Sequence, residues 1–369
     1  MVECLDCGHL APFSITAVAC PNCNGQWREA RYELEVVKQV LPEAVKNRPF
    51  NLWRYRELLP VAGPNPTLLM GEGGTPLIHA ANLGMMLGCS NLYIKDERQG
   101  PTASFKDRQA AITITALKDA GITEAVLAST GNVAIAYSAF AARAGIKLWT
   151  FLTSLVPAEK MREVAIYGPQ AVRVTGSYDQ VKQVAAEFAR QRGLYLERGS
   201  RSIPSVEGMK TIAFEVVEQI TEIMGPPVAV NNHAQASAPW RSPDWYIQAV
   251  SGGLGPHGVQ KGFDELWQMG LIDRQPAMAH IQAEGCSPMV HAWLQGREVA
   301  DPIRSPRTLI TTLATGDPGR TYTLLRQRML AGGGGLFESV SDEEAFRTIH
   351  IVAKMEGLSI EPAAAVAFA

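Results

Sequence analysis

"PTASFKDRQ", residues 101–109, sets a lysine just after a turn and just before a helical run. Pro101 and Thr102 end a strand, Ser104 stands where a helix N-cap is expected, and Lys106 falls in the first helical turn. A helix N-terminus carries a positive local field, which favours the neutral, nucleophilic form of a lysine amine. A solvated surface lysine satisfies the same local pattern. The surrounding residues have to separate the two.

Outward from this stretch, short apolar runs alternate with longer helical ones. "NLYIK" (91–95) reads as a strand and 105–120 as a helix; "AVLAS" (125–129) precedes a helix over 133–144. "KLWTFL" (147–152) leads to helix 158–167, and "AVRVT" (171–175) to helix 178–192. "WYIQAV" (245–250) leads through a Gly-rich turn to helix 257–269, and "MAHIQA" (278–283) to helix 287–294. Alternation at this spacing predicts an α/β fold, with parallel sheets covered by helices. "GGGG" (332–335) and the Pro/Ala/Asn-rich 225–244 read as loops, the second as a segment able to move near a site.

Two further strand ends carry polar turns. "STGNVAIAY" (129–137) passes from strand to helix through Ser129, Thr130, Gly131 and Asn132, with Asn132 at or near the N-cap. "SGGLGPHG" (251–258) does so through four glycines, so successive backbone N–H groups can face one phosphate beside a helix N-terminus. It lacks the Lys-Ser/Thr end of a Walker loop and is not a GxGxxG fingerprint. The asparagine turn alone is explained by ordinary capping, and a Gly-rich turn alone is weak evidence of an anion site. Together they place a reactive-lysine candidate, an asparagine and a phosphate cradle at carboxyl ends of strands, where open α/β sheets bind ligands. A cofactor with an aldehyde at one end and a phosphate at the other suits that set, and pyridoxal phosphate is such a molecule.

The totals bound the partners. With 369 residues, 46% hydrophobic and 19% charged, the chain reads as an ordinary globular protein large enough for two lobes. A net charge of −2 offers no electrostatic footprint for nucleic acid or an anionic membrane. The longest uncharged run, 125–142, holds Ser129, Thr130, Gly131 and Asn132 in its middle, which argues against a membrane span. No signal peptide opens the chain, so a cytoplasmic location with reduced thiols is expected.

Cys4, Cys7, Cys20 and Cys23 form two CxxC pairs across a twelve-residue gap. Two such knuckles complete a tetrahedral Zn²⁺ site, and four Cys ligands leave no open position, so the expected role is structural. A short hairpin over His9–Ala19 would span the gap. Cys89 and Cys286 stand alone, and each reads as a buried small apolar residue.

These motifs resemble the threonine synthase family, within the fold type II pyridoxal-phosphate enzymes. "YIKDERQGPTASFKDR" (93–108) is similar to the family's Lys-x-Glu…Pro-Thr-Gly-Ser-Phe-Lys-Asp-Arg segment, and "STGNVA" to its Ser-x-Gly-Asn segment. "GEGGTPL" (71–77), "VEGMKT" (206–211) and "EGLSIEPAAA" (356–365) are also similar to family pieces. The resemblance implies two three-layer lobes with mostly parallel sheets: 27–117 with 206–369 as the large cofactor-binding lobe, 118–205 as the small one, and 1–26 as a zinc-ribbon-like segment. It implies Lys106 as the Schiff-base lysine, Asn132 on the cofactor's ring oxygen and Ser251, Gly252, Gly253, Leu254 and Gly255 on its phosphate. Ser104, Ser129, Thr130 and Lys95 are the implied contacts to an amino-acid substrate, and a homodimer is the implied assembly.

The activity so implied is threonine synthesis from O-phosphohomoserine and water, by elimination and addition. The alternatives are β-replacement or deamination, like cysteine or cysteate synthases and threonine or serine dehydratases. A different class of alternative is a non-catalytic, cofactor-binding remnant. Several positions depart from the family pattern. Ala103 replaces a Gly, the phosphate loop reads Ser-Gly-Gly-Leu-Gly where Gly-Asn-Gly-Gly-Asn is common, and Ala364 stands where Ser is frequent. Ser205 stands where an Arg often precedes Glu-Gly; if that Arg holds a phosphorylated substrate, phosphohomoserine fits less well. The family usually continues past the position of Ala369 to a strand whose hydroxyl meets the pyridine nitrogen, so a fragment of a longer product is expected.

Overall fold

The computed structural model describes residues 1–129, 131–154, 156, 158–227 and 238–369. Thr130 and residues 228–237 of the 225–244 loop therefore lie outside the described residues. The chain divides into two compact units, Met1–Gly74 with Glu97–Thr211, and Thr75–Asp96 with Ile212–Ala369.

The first unit opens with a small antiparallel sheet, β1 (Val2–Cys4), β2 (Leu10–Ala11) and β3 (Arg28–Ala30), in the order β2-β1-β3. The expected His9–Ala19 hairpin is not formed as such: only Leu10–Ala11 is strand, and it pairs back onto β1. Helix α1 (Leu34–Lys46) follows.

The main sheet of this unit contains β6 (Glu124–Ala128), β7 (Lys147–Thr153), β8 (Gln170–Val174) and β9 (Tyr195–Leu196). All pairings are parallel, in the order β8-β7-β6-β9. Its connections hold α4 (Asn132–Ala144), α5 (Ala158–Ile166) and α6 (Tyr178–Arg192). Strand side chains alternate between faces, and both faces are covered. Ala125, Leu127, Leu148 and Leu152 join the core with α3 (Lys106–Asp119) and α4, while Val126 and Phe151 pack against Val181, Ala185 and Ala189 of α6. Every residue of α3 from Asp107 to Leu117 is buried. Burying a side chain such as Ile114 or Leu117 stabilises the fold by roughly 1.5–3 kcal/mol. The lysine at the head of α3 therefore stands on a fixed platform.

The second unit carries β4 (Leu77–His79) and β5 (Tyr93–Lys95) as an antiparallel pair, with α2 (Ala81–Leu87) between them. Its parallel sheet is β10 (Trp245–Ala249), β11 (Ala277–Ala283) and β12 (Gly335–Val340), in sequence order. Gly335 of the predicted glycine loop thus opens a strand. Around this sheet run α8 (Leu254–Gln268), α9 (Pro288–Leu294), α10 (Arg320–Ala331), α11 (Asp342–Glu356) and α12 (Pro362–Ala365). Ala279, Ile281 and Ala283 pack on one face with Ala345 and Val366; His280 turns the other way onto Phe337. Helix α7 (Ile203–Met224) is continuous through the sequence division at Thr211 and Ile212. The expected α/β fold with parallel sheets is what forms.

Candidate active site

Lys106 is the first residue of α3. The N-cap position belongs to Phe105, not Ser104, yet the Ser104 hydroxyl still acts as a cap by accepting from the Lys106 N–H at 3.3 Å. The Lys106 ammonium lies 4.0 Å from the centroid of the Phe105 ring. The next two residues fix the platform. Thr102 donates its backbone N–H and hydroxyl to the buried Asp107 carboxylate, at 2.9 Å and 2.6 Å. Arg108 is buried and makes two 2.8 Å bonds to Glu97, with a third of 3.0 Å to the Thr211 hydroxyl. Such a two-pronged pair fixes direction as well as distance. Ala103, replacing the family glycine, has φ of +54°, in the left-handed region that side chains resist.

The "VEGMKT" piece is explained by packing. Glu207 and Lys210 are buried together at 2.5 Å, and the Tyr32 hydroxyl donates to Glu207 at 2.8 Å. At Gly208 a Cβ would lie 2.4 Å from the Arg108 carbonyl oxygen, so only glycine lets α3 and α7 approach this closely. Glu72 of "GEGGTPL" is likewise internal, accepting from Trp53 Nε1 at 2.6 Å and from the Met70 N–H at 2.9 Å.

Asn132 is the first residue of α4, and Gly131 is the N-cap. Capping is done by Ser129, whose buried hydroxyl accepts from the N–H groups of Gly131 (3.3 Å) and Ala134 (3.2 Å). The Asn132 side chain is thereby released from the capping role the sequence alone suggested. Its Oδ1 accepts from the Lys160 ammonium at 2.6 Å. Lys160 was not singled out by sequence; it lies 28 residues away on α5, and nothing local marks it.

Ser205, at the position of the family arginine, is fully buried. Its hydroxyl lies 2.8 Å from the Tyr137 hydroxyl and 3.1 Å from that of Thr113, and it donates to Glu197 at 2.9 Å. Glu197 also accepts from Ser202, Tyr195 and the Gly199 N–H, and burial raises its carboxyl above the usual range. Ser205 is one hydroxyl of this network, with no charge to offer a phosphate.

In the second unit, Ser251 to Gly253 turn the chain into α8, which starts at Leu254, three residues before the expected 257. Gly253 is the N-cap with φ of +88°, and a Cβ there would lie 2.6 Å from Thr321 Cγ2. Ser251 and Thr315 share a hydroxyl hydrogen bond of 2.7 Å. The N–H groups of Gly252, Gly253, Leu254 and Gly255 find no acceptor among the described residues. Orphan donors at the positive end of a fifteen-residue helix suit a phosphate. Lys95, an expected substrate contact, instead donates to Glu215 (2.7 Å), Gln219 (2.7 Å) and the Thr75 carbonyl (2.6 Å). All three of its ammonium protons have acceptors.

The four N-terminal cysteines come together, with all four sulfurs within 4.8 Å of one another. The Cys4–Cys23 and Cys7–Cys20 sulfurs are 3.5 Å and 3.7 Å apart. Disulfide sulfurs lie at about 2.05 Å, whereas a tetrahedron with metal–sulfur bonds of about 2.3 Å has edges near 3.8 Å. Backbone N–H groups of Asn22 and Gly25 each donate to a sulfur at 3.4 Å, a second layer that favours thiolates. This cluster could hold a metal ion.

Comparison with known proteins agrees with this geometry. Residues 68–369 match the family described as "Pyridoxal-phosphate dependent enzyme". A threonine synthase of Methanocaldococcus jannaschii is 32% identical over 369 residues, covering all of this chain and 85% of that protein. One of Mycobacterium tuberculosis is 30% identical over 316 residues, 85% of this chain and 79% of that one. Among solved structures, maize serine racemase superposes with a TM-score of 0.65 at 21% identity, over 79% of each chain. The processed threonine deaminase isoform 2 of Solanum lycopersicum gives 0.63 at 20% identity, over 80% of this chain and 72% of that one. These two establish the fold; the family match and the threonine synthase relatives establish the lineage. The chain belongs to the pyridoxal-phosphate dependent enzymes, as a lyase of the threonine synthase family with four clustered cysteines at its front.

Proposed function

We propose that the chain carries out elimination and addition on an amino acid, with Lys106 holding the cofactor and then serving as the base at Cα. The supporting observation is the placement of Lys106 as the first residue of a helix buried from Asp107 to Leu117, behind a turn that Asp107 clasps. Pyridoxal phosphate, when bound, draws electrons away from Cα of the attached amino acid. The Lys106 amine accepts the Cα proton and is placed to return it after a leaving group has left the β or γ carbon. Asn132 holds the ring oxygen, and the orphan amides of Gly252 to Gly255 hold the phosphate. Ser104 and Ser129 are the proposed substrate contacts, with Thr130, outside the described residues, kept from the sequence reading, whereas we assign Lys95 to anchoring β5 on Glu215 and Gln219. The four cysteines hold a structural Zn²⁺. Lobe limits of 27–117 with 206–369 and 118–205, a homodimer and a cytoplasmic location complete the proposal.

For the substrate, the relatives support O-phosphohomoserine and water, giving threonine and phosphate. A second reading, β-replacement or deamination of a smaller amino acid, is supported by Ser205, which brings a buried hydroxyl where an arginine would bring a cation. Incubating the cofactor-loaded protein separately with O-phosphohomoserine, O-phosphoserine, serine and threonine decides between them. Threonine and phosphate from the first substrate support threonine synthesis. Turnover confined to the others supports the second reading, and no turnover of any contradicts both.

A further inference from the structure

We propose that Lys160 is a positioning residue for the cofactor: it sets the amide of Asn132 so that Nδ2 faces the ring oxygen, and it polarises that donor. This rests on the assignment of Asn132 to the ring oxygen.

The geometry has three parts. Lys160 is in the first turn of α5 and Asn132 heads α4, and the two helices pack together. An ammonium group has three donors and no acceptor, so the amide atom 2.6 Å from Lys160 Nζ must be the oxygen. An asparagine amide has one oxygen and one nitrogen end, and fixing the first fixes the second. Finally, the cap of α4 is made by Ser129, which accepts from the N–H groups of Gly131 and Ala134.

The charge adds to the orientation. Lys160 is half-buried, so its bond to Oδ1 is a charge-assisted one in a partly desolvated setting. A cation on the amide oxygen draws electrons through the amide and makes its N–H groups stronger donors. The beneficiary is an oxygen on the cofactor ring, which is held better the more negative it becomes. The nearby acid Glu159 pairs along the helix with Arg162 at 3.1 Å. Lys160 thus acts on the cofactor through Asn132, and its contribution appears in cofactor binding before any turnover.

The test is equilibrium titration of pyridoxal phosphate into cofactor-free protein, read by fluorescence quenching and by the visible absorbance of the lysine-bound cofactor. Wild type, Lys160→Met, Lys160→Arg, Asn132→Ala and the Asn132→Ala/Lys160→Met double variant are compared, with thermal unfolding as a check on folding. Losing one charge-assisted bond weakens binding by about tenfold or more, so Lys160→Met should show that loss and Lys160→Arg should restore most of it. In the Asn132→Ala background the Lys160 change should cost less than about twofold, because the two act as one unit. The proposal is overturned if Lys160→Met binds as tightly as wild type while Asn132→Ala is weakened, or if the two losses simply multiply. If Asn132→Ala leaves binding unchanged, the ring-oxygen assignment itself falls, and the Lys160 role with it.

Discussion

Thr102 and Asp107 are joined twice: the threonine's N–H and hydroxyl both donate to the one carboxylate, at 2.9 Å and 2.6 Å. This clasp closes the turn that delivers Lys106. Burial pushes the Asp107 carboxyl up to about 6, against the downward pull of the two Thr102 bonds. A carboxyl that holds its proton more tightly folded than unfolded contributes most below about pH 4 and loses that contribution as pH rises through about 6. Urea unfolding of wild type and Asp107→Asn across this window should show the wild type losing stability relative to the variant. A pH-independent difference would contradict the assignment.

Ala103 is held at φ +54° immediately before Ser104. The left-handed region costs a non-glycine residue about 1–2 kcal/mol, and the extra freedom of glycine in the unfolded chain returns part of that. Ala103→Gly should therefore raise unfolding stability by about 0.5–1 kcal/mol, measured by denaturant titration. A loss of stability of that size would mean that the turn is not strained.

Gly253 tests the phosphate cradle. Its φ of +88° and the nearby Thr321 methyl leave no room for a side chain. Gly253→Ala should distort the amides of the turn and weaken pyridoxal phosphate binding by about tenfold or more, while binding of dephosphorylated pyridoxal changes little. Equal losses for both ligands would point to general damage instead.

The cysteine cluster predicts bound zinc. Metal analysis of purified protein should find a single ion per chain, and Cys4→Ser with Cys20→Ser should remove it. Because the four ligands leave no open position, the metal's loss should lower thermal stability and leave the visible cofactor absorbance in place. Loss of cofactor absorbance on mild zinc removal would give the metal a role the geometry does not suggest.

Local pattern carried much of this fold. Helix α6 falls at the residues its periodicity predicted, 178–192, and Ser177 with Gln180 forms a capping box at its start. What escaped was set by distant contacts. Helix α7 spans 22 residues, yet Pro204 and Gly208 in its opening turns break the local pattern. The reason for Gly208 is the Arg108 carbonyl, about a hundred residues earlier in the chain. The same holds in the site. The helix start at Lys106 was legible because motif and turn coincide in nine residues, and so was the turn before α8. The commitment of Lys95 to Glu215 and Gln219, the burial of Ser205 among hydroxyls and the Lys160–Asn132 bond all join residues far apart in sequence. No local signal announces them.

The central claim is that Lys106 bonds the cofactor covalently. The most direct measurement is the visible spectrum of purified Lys106→Ala after incubation with pyridoxal phosphate and desalting, beside wild type. The account predicts a visible band in wild type that borohydride reduction fixes to the chain, and neither band nor fixation in the variant. A Lys106→Ala protein that keeps the band and is fixed by borohydride would contradict it.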